Sequence, residues 1–266
     1  MWVGRARSKN LLLFLGYISI VAMESNPSRQ YVVFYDLETQ QLLNEVHGRF
    51  RDDKVKNLEI SCGCAIAIPL EFCRDPNDRN RAFEERIEYT VWHASTKPCS
   101  RIEDLLLLFD NAFLIVAYNQ FGFDSLVLKQ YYRDEERFEM HMQKQLDVFV
   151  GVRAAMLGEK WPSLNWLLGQ NGLDSKEADG LDAVKWWKSG STEDLQKLAN
   201  YCLADVRLLC KLALLQELNI GRPRPLANYC FGIASAVAAR EKSLSLEPED
   251  ERQERQALQL YLWSEP

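Results

Sequence analysis

Two carboxylates at the end of a short apolar run constrain the fold of this chain more than any other feature of its sequence. The run Tyr-Val-Val-Phe-Tyr covers residues 31–35, and Asp36 and Glu38 follow it with one residue between them. A run of this length, rich in valine and aromatic residues, is typical of a buried strand. Residues two apart in an extended segment point to the same side. We therefore expect a core strand that ends in two neighbouring carboxylates, for which a divalent cation is the natural partner. A solvated acidic turn is the alternative.

A second apolar run leads to a third carboxylate. Residues 113–118 have the composition of a buried strand, and the segment Asn119-Gln-Phe-Gly-Phe-Asp124 follows them. A helical pattern at 103–111 separates the two strands and so predicts a parallel crossover. Because the carboxyl ends of parallel strands face the same side of a sheet, Asp124 is expected beside the first two acids. Capping of the next helix is the alternative role for Asp124.

A long helical pattern carries the fourth acid. It begins at Thr192 and continues to about residue 218, with Tyr201 and Asp205 four residues apart beside its apolar stripe. An aspartate in this position can simply be half-exposed. Presented against the first strand, it would instead complete a carboxylate cage for two metal ions.

The remaining patterns predict a mixed sheet with flanking helices. Residues 58–70 and 86–93 have strand patterns, which together with the first strand predict an antiparallel meander. Residues 146–150 predict a third parallel strand. Short helices are expected at 163–168 and 182–188, where two tryptophans would pack or serve as a platform for bases.

The net charge and the cysteine content indicate which partners and which redox compartment suit the protein. The formal net charge of −6 provides no overall attraction for nucleic acid, although a local basic rim would suffice. Seven cysteines without regular spacing argue against a disulfide framework and for a reducing compartment. Cys62 and Cys64 could bind zinc, but no second Cys or His pair follows at ligand spacing. We interpret both as core or strand cysteines.

Three motifs together resemble a known family. The segments Asp36-Leu-Glu38-Thr, Asn119-x3-Phe123-Asp124 and Tyr201-x3-Asp205 resemble, in order and context, the motifs of DEDDy-class 3′→5′ exonucleases. This ribonuclease H-like group contains polymerase proofreading domains and ribonuclease D. Residues 181–206 also look like stand-alone and helicase-associated members. All four acids and the tyrosine are present.

The resemblance implies a fold, a reaction and a set of roles. The fold would be α/β, with a ribonuclease H-like five-stranded mixed sheet flanked by helices. The reaction would be hydrolysis at the 3′ end of single-stranded or frayed DNA or RNA with two Mg²⁺ or Mn²⁺ ions. Asp36, Glu38 and Asp205 would hold one ion, Asp36, with Asp124 through water, would hold the other, and Tyr201 would orient the attacking water. Candidate contacts with the terminal nucleotides are Leu37, Thr39, Asn119 and Phe123.

The flanks have no counterpart in the family. We expect an N-terminal extension at 1–30, the exonuclease domain at 31–218 and a helical, charged tail at 219–266. The apolar run at 11–23 could be a targeting segment, a short anchor or an upstream extension with Met23 as the start, and it is short for a stable membrane span. We expect an intracellular protein, although this run leaves import or secretion open.

Two other functions stay open at this point, as do the partners. The same fold could act as a non-catalytic module that binds nucleic acid, or as a ribonuclease H-like endonuclease. Intact acids argue against the module, and the spacing of the second and third motifs argues against the endonuclease. Nucleic acid is the expected partner, with a helicase or polymerase as a further candidate.

Overall fold

Five strands form one mixed sheet. The computed structural model describes residues 29–92, 101–156, 161–176, 180–215, 218–221 and 233–246. Its strands are β1 (Tyr31–Thr39), β2 (Ile60–Pro69), β3 (Ile87–Trp92), β4 (Ala112–Ala117) and β5 (Gln145–Asp147), in the spatial order β3-β2-β1-β4-β5. β2 is antiparallel to β1 and to β3, whereas β4 is parallel to β1 and to β5. The predicted mixed sheet, with its meander and its parallel crossover, is confirmed.

Helices flank this sheet. The α-helices of the described residues are α1 (Arg51–Lys56), α2 (Arg79–Glu84), α3 (Ile102–Asp110), α4 (Asp124–Leu128), α5 (Glu135–Gln143), α6 (Val148–Ala155), α7 (Leu164–Gln170), α8 (Gly180–Ser189), α9 (Thr192–Ala213) and α10 (Ile233–Leu246). The sequence predicts α3, α4, α7, α8 and α9, and the structure confirms them. It does not predict α1, α2 or α5, which are short or polar.

The central strand β1 is buried on both faces. Phe34 belongs to the apolar cluster that contains the inner face of α9, whereas Tyr35 and Leu37 belong to the cluster under α3. Side chains alternate along a strand, so even-numbered residues of β1 point toward α9. Asp36 and Glu38 continue the even-numbered series and therefore face the long helix.

The third parallel strand is shorter than predicted. β5 ends at Asp147, and α6 begins at Val148, so the prediction of a strand at 146–150 is wrong over its last three residues. Oδ1 of Asp147 accepts hydrogen bonds from the backbone N–H groups of Phe149 and Val150 at 3.0 and 3.3 Å, which caps the helix. A short apolar run has the same composition in a buried strand and in the first turn of a buried helix.

Helix α10 packs on the core of the domain. Ile233 and Val237 are buried in the same apolar cluster as α9. Nε of Arg74 donates a hydrogen bond to Oε1 of Glu241 at 2.8 Å. Part of the segment 219–266, which the sequence predicts to be a helical, charged tail, is therefore a helix that packs on the core.

The two flanks are described only in part. The N-terminal extension up to residue 28, including the apolar run at 11–23, lies outside the described residues, and so does the tail at 222–232 and from 247 onward. Across the ranges that are described, no helix has the length and apolar character needed to cross a membrane.

Candidate active site

Four carboxylates from three elements meet at the carboxyl end of β1. Asp36 and Glu38 belong to β1, Asp124 opens α4, and Asp205 comes from the middle of α9. Asp36 is half-buried and the other three are buried. Asp205 raises the pKa of both acids of β1, and Asp36 raises the pKa of Asp124, so the charges act on one another at short range. The structure thus brings together all four acids that the sequence singles out.

Burial is the main reason that the pKa values of these carboxyl groups are raised. It raises the pKa of Asp36 to about 7, a shift that Asp205 increases and Lys176 opposes. The pKa values of Glu38 and Asp124 lie well above the ordinary range, because of burial first and the charge of Asp36 second. Buried carboxylates without a counter-charge are costly. The arrangement therefore favours a cation among them.

A lysine that the sequence analysis does not single out lies among these carboxylates. Nζ of Lys176 donates a hydrogen bond to Oδ2 of Asp205 at 2.5 Å and lies 5.8 Å from the centre of the Tyr201 ring. Burial alone would lower the pKa of Lys176, but Asp36 and Asp205 outweigh burial and raise it. The backbone N–H of Lys176 donates to Oδ1 of Asn165 at 2.7 Å, which ties this polar segment to α7.

Tyr201 stands one helical turn before Asp205. Its hydroxyl lowers the pKa of the Asp205 carboxyl group, which burial raises, and its ring packs edge-on against Trp186 at 5.9 Å between ring centres. Burial, followed by the charges of Glu38 and Asp205, raises the pKa of Tyr201. The phenol is therefore protonated at neutral pH and can donate a hydrogen bond but cannot act as a base. Trp186 has the packing role that its apolar helix face suggests.

Asp147 holds the loop that delivers Asp124. Besides capping α6, its Oδ1 accepts the N–H of Asn119 at 2.8 Å and its Oδ2 accepts the N–H of Phe121 at 3.0 Å. Asn119 has φ 65°, in the left-handed region that asparagine tolerates. A Cβ at Gly122 would lie 2.7 Å from Oδ1 of Asn119, so a larger residue there would displace the Asn119 side chain. The Asp147 carboxylate thus fixes both the loop before α4 and the first turn of α6.

The residues predicted to contact nucleotides are largely engaged within the protein. Leu37 is buried on the face of β1 opposite the acids, and Phe123 packs in part against the same cluster. Thr39 is buried, and its Oγ1 donates to the carbonyl oxygen of Gln41 at 2.9 Å. Asn119 is half-buried in the loop that leads to Asp124. Contact of these four residues with substrate stays a prediction.

The donor set of the cluster suits hard divalent cations. Carboxylate oxygens of Asp36 and Glu38 lie within 4.8 Å of each other, and the other two acids supply oxygen ligands as well. Mg²⁺ and Mn²⁺ prefer such oxygen ligands. The residues therefore fit a divalent metal site, in which Lys176 now provides the positive charge.

The sheet order and the acids at the end of its central strand define a class of protein, the ribonuclease H-like domains. A family model described as the RNase_H superfamily matches residues 81–216, about half of the chain. The chain belongs to the RNase H superfamily. The matched span includes Asp124, Tyr201 and Asp205 and begins after β2. A search of curated proteins gives no match. Such a domain is typical of nucleases, hydrolases of phosphodiester bonds that bind nucleic acid and use divalent metals.

Proposed function

We propose that this domain is a metal-dependent 3′→5′ exonuclease that acts on single-stranded or frayed DNA or RNA. The observation that carries the proposal is the convergence of Asp36, Glu38, Asp124 and Asp205, with Tyr201 one turn from Asp205 on the same helix. This is the residue set of the DEDDy pattern, and membership of the RNase H superfamily supports it. The proposed domain spans residues 31–218, and a helicase or polymerase that supplies frayed ends is the kind of partner we expect.

Each residue has a role in the proposed reaction. Asp36, Glu38 and Asp205 would hold one divalent ion, and Asp36, with Asp124 through water, would hold a second. When bound, the ions lower the pKa of the attacking water and neutralise charge on the leaving oxygen. The protonated hydroxyl of Tyr201 orients that water by a hydrogen bond. The loop held by Asp147 keeps Asp124 in place while the chain end is bound.

The direct test uses 5′-labelled oligonucleotides of DNA and RNA, with Mg²⁺ or Mn²⁺ and with EDTA. A metal-dependent ladder that shortens from the 3′ end supports the proposal, and the faster substrate identifies the preferred nucleic acid. A closed circle of the same sequence is the control, because an exonuclease leaves it intact. Cleavage of the circle would indicate the endonuclease, and binding without cleavage of either form would indicate the non-catalytic module.

Tyr201→Phe is expected to lower kcat roughly 10–100-fold with little change in KM. The substitution removes only the hydroxyl that orients the water, and misplacement of a reactant by about 1 Å can cost about a hundredfold in rate. Single-turnover cleavage of the preferred oligonucleotide measures the effect. Tyr131→Phe is the matched control, since that hydroxyl accepts the backbone N–H of Ile60 at 3.0 Å. An unchanged kcat in Tyr201→Phe would remove the tyrosine from the mechanism.

Lys176→Met is expected to destabilise the metal-free protein by about 2 kcal/mol, or roughly 4–8 °C in Tm. The substitution leaves the buried Asp205 carboxylate without its ammonium partner. A divalent ion replaces the missing charge, so saturating Mn²⁺ should raise Tm more in the variant than in the wild type. Differential scanning calorimetry with Mn²⁺ and with EDTA measures both values.

Lys197→Met provides the control for that experiment. Lys197 pairs with Asp194 at 2.9 Å on the exposed side of α9, and an exposed pair of this kind contributes at most about 1 kcal/mol. Equal metal-free Tm values for Lys176→Met and the wild type would show that the ammonium does not stabilise the acidic cluster.

A further inference from the structure

Two cysteines of β2 stand directly beside the two acids of β1. In the antiparallel pairing of these strands, Asp36 is opposite Cys64 and Glu38 is opposite Cys62. Residues opposite each other in such a pair project to the same face, with Cβ atoms about 4.5–5.5 Å apart. Both thiols therefore lie on the α9 side of the sheet, next to the carboxylates.

Helix α9 adds a third thiol to this group. The Sγ atoms of Cys62, Cys64 and Cys202 all lie within 4.8 Å of one another, and all three residues are fully buried free cysteines. Sγ of Cys202 also lies within 4.8 Å of carboxylate oxygens of Asp36 and Glu38. Cys202 thus belongs to two possible ligand sets. One consists of three thiols, and the other combines its thiol with the carboxylates of Asp36 and Glu38.

We propose that Cys62, Cys64 and Cys202 form a binding site for a thiophilic divalent cation, Zn²⁺, directly beside the carboxylates of β1. Thiolates select Zn²⁺ over Mg²⁺ and Mn²⁺. With Zn–S bonds of about 2.3 Å, sulfurs in tetrahedral geometry lie about 3.8 Å apart, so small side-chain rotations close the present spacing. Each coordinating thiol releases its proton to solvent, and a carboxylate oxygen of Asp36 or Glu38 fills the fourth position.

The carboxylates give the cation its route to the buried sulfurs. Asp36 is half-buried and lies at the surface end of the group, so an ion that first meets Asp36 and Glu38 next meets Cys202. An ion held there uses ligands that the exonuclease would need for Mg²⁺ or Mn²⁺. Zn²⁺ would therefore block cleavage. This consequence rests on the proposed function, whereas binding to the thiols does not.

Cd²⁺ tests the site because its bonds to thiolate absorb in the ultraviolet, where Mg²⁺ complexes do not. The full-length reduced protein is titrated with Cd²⁺ in excess Mg²⁺, and Zn²⁺ is then added. We expect a charge-transfer band that saturates at one Cd²⁺ per chain and that a large excess of Zn²⁺ weakens by competition. A chain that shows no thiolate band would overturn the proposal, whatever its nuclease activity.

Cysteine variants assign the band to these residues. Cys202→Ala should abolish it, and Cys64→Ala should weaken it and lower the Cd²⁺ affinity at least tenfold. Cys210→Ala is the matched control, because Cys210 is another buried cysteine of α9 that lies outside the group. A full band in Cys202→Ala, or an equal loss in Cys210→Ala, would contradict the assignment. If circular dichroism shows that Cys202→Ala does not fold, Cys64→Ala and Cys62→Ala decide the question.

Asp124→Asn separates this inference from the proposed function. Asp124 lies outside both ligand sets that contain Cys202, so the variant should keep the Cd²⁺ band while it loses cleavage. Cleavage with Mg²⁺ and no band would refute the thiol site alone. A Cys202-dependent band in a protein that cleaves nothing would refute the exonuclease alone.

Discussion

Asp36→Asn is expected to lower the rate of 3′ cleavage by roughly a thousandfold or more while the protein keeps its fold. Asp36 is the one acid that the proposed mechanism assigns to both metal ions, and its charge raises the pKa of Glu38 and Asp124. Loss of metal-ion catalysis costs several kcal/mol, and each 1.36 kcal/mol is a factor of ten in rate. Asparagine keeps the shape of the side chain but not its charge. Single-turnover rates with Mg²⁺ and with Mn²⁺ measure the loss.

The stability of the same variant distinguishes a lost ligand from a damaged fold. Because Asp36 is held among like charges, its removal should leave the Tm of the metal-free protein unchanged or raise it. Asp182→Asn on α8 is the control, since Asp182 pairs with Lys185 at the surface, and its rate should equal that of the wild type. An Asp36→Asn rate within tenfold of the wild type would refute the site assignment.

Asp147→Ala is expected to destabilise the protein by on the order of 4 kcal/mol. The carboxylate accepts four backbone N–H groups, two from the loop before α4 and two from the first turn of α6. Hydrogen bonds to a charged group contribute about 1.5–3 kcal/mol each, and water can replace some of those that are lost. Urea unfolding of the metal-free protein measures the change. The variant should also lose cleavage activity, because the displaced loop carries Asp124.

Two further variants show whether the loop or the helix cap accounts for this effect. Asp134→Ala removes an N-cap of α5 that accepts a single N–H, from Glu136 at 2.9 Å, and should cost about 1 kcal/mol. Asp147→Asn keeps one acceptor oxygen. Its loss in the free energy of unfolding should therefore fall between the losses of the two alanine variants. A cost for Asp147→Ala no greater than that for Asp134→Ala would show that Asp147 acts only as a cap.

The sequence predicts the acidic cluster because its elements have strong local signals. The first five residues of β1 and the whole of β4 are uninterrupted apolar runs, and α9 has a long apolar stripe, so each can be recognised from its own residues. The rule that parallel strands present their carboxyl ends on one side then places Asp124 near the acids of β1. The limit appears at Asp147, which ends a strand and caps a helix at once. No periodicity in the flanking residues separates those two roles.

Lys176 and Cys202 carry no local sequence signal, and contacts between distant segments bring them to the cluster. Lys176 lies in a polar stretch and reaches Asp205 only because α7 and α9 pack side by side. Cys62 and Cys64 lack a second cysteine pair at zinc-ligand spacing, yet the third sulfur arrives from α9. One signal was available in advance: the pattern Cys-x-Cys on a neighbouring strand matches Asp-x-Glu on β1, so an antiparallel pairing in register sets the two pairs side by side.

The balance of charge in the cluster dictates an order of assembly. Among the described residues the four acids have one ammonium partner, Lys176, so ionising them without a metal makes the cleft anionic, and an anionic cleft repels the phosphates of a nucleic acid chain. Bound divalent cations would turn this repulsion of an incoming phosphate into attraction. In the proposed reaction, cation loading would therefore precede capture of the strand end, which predicts a compulsory-order rather than a random kinetic scheme.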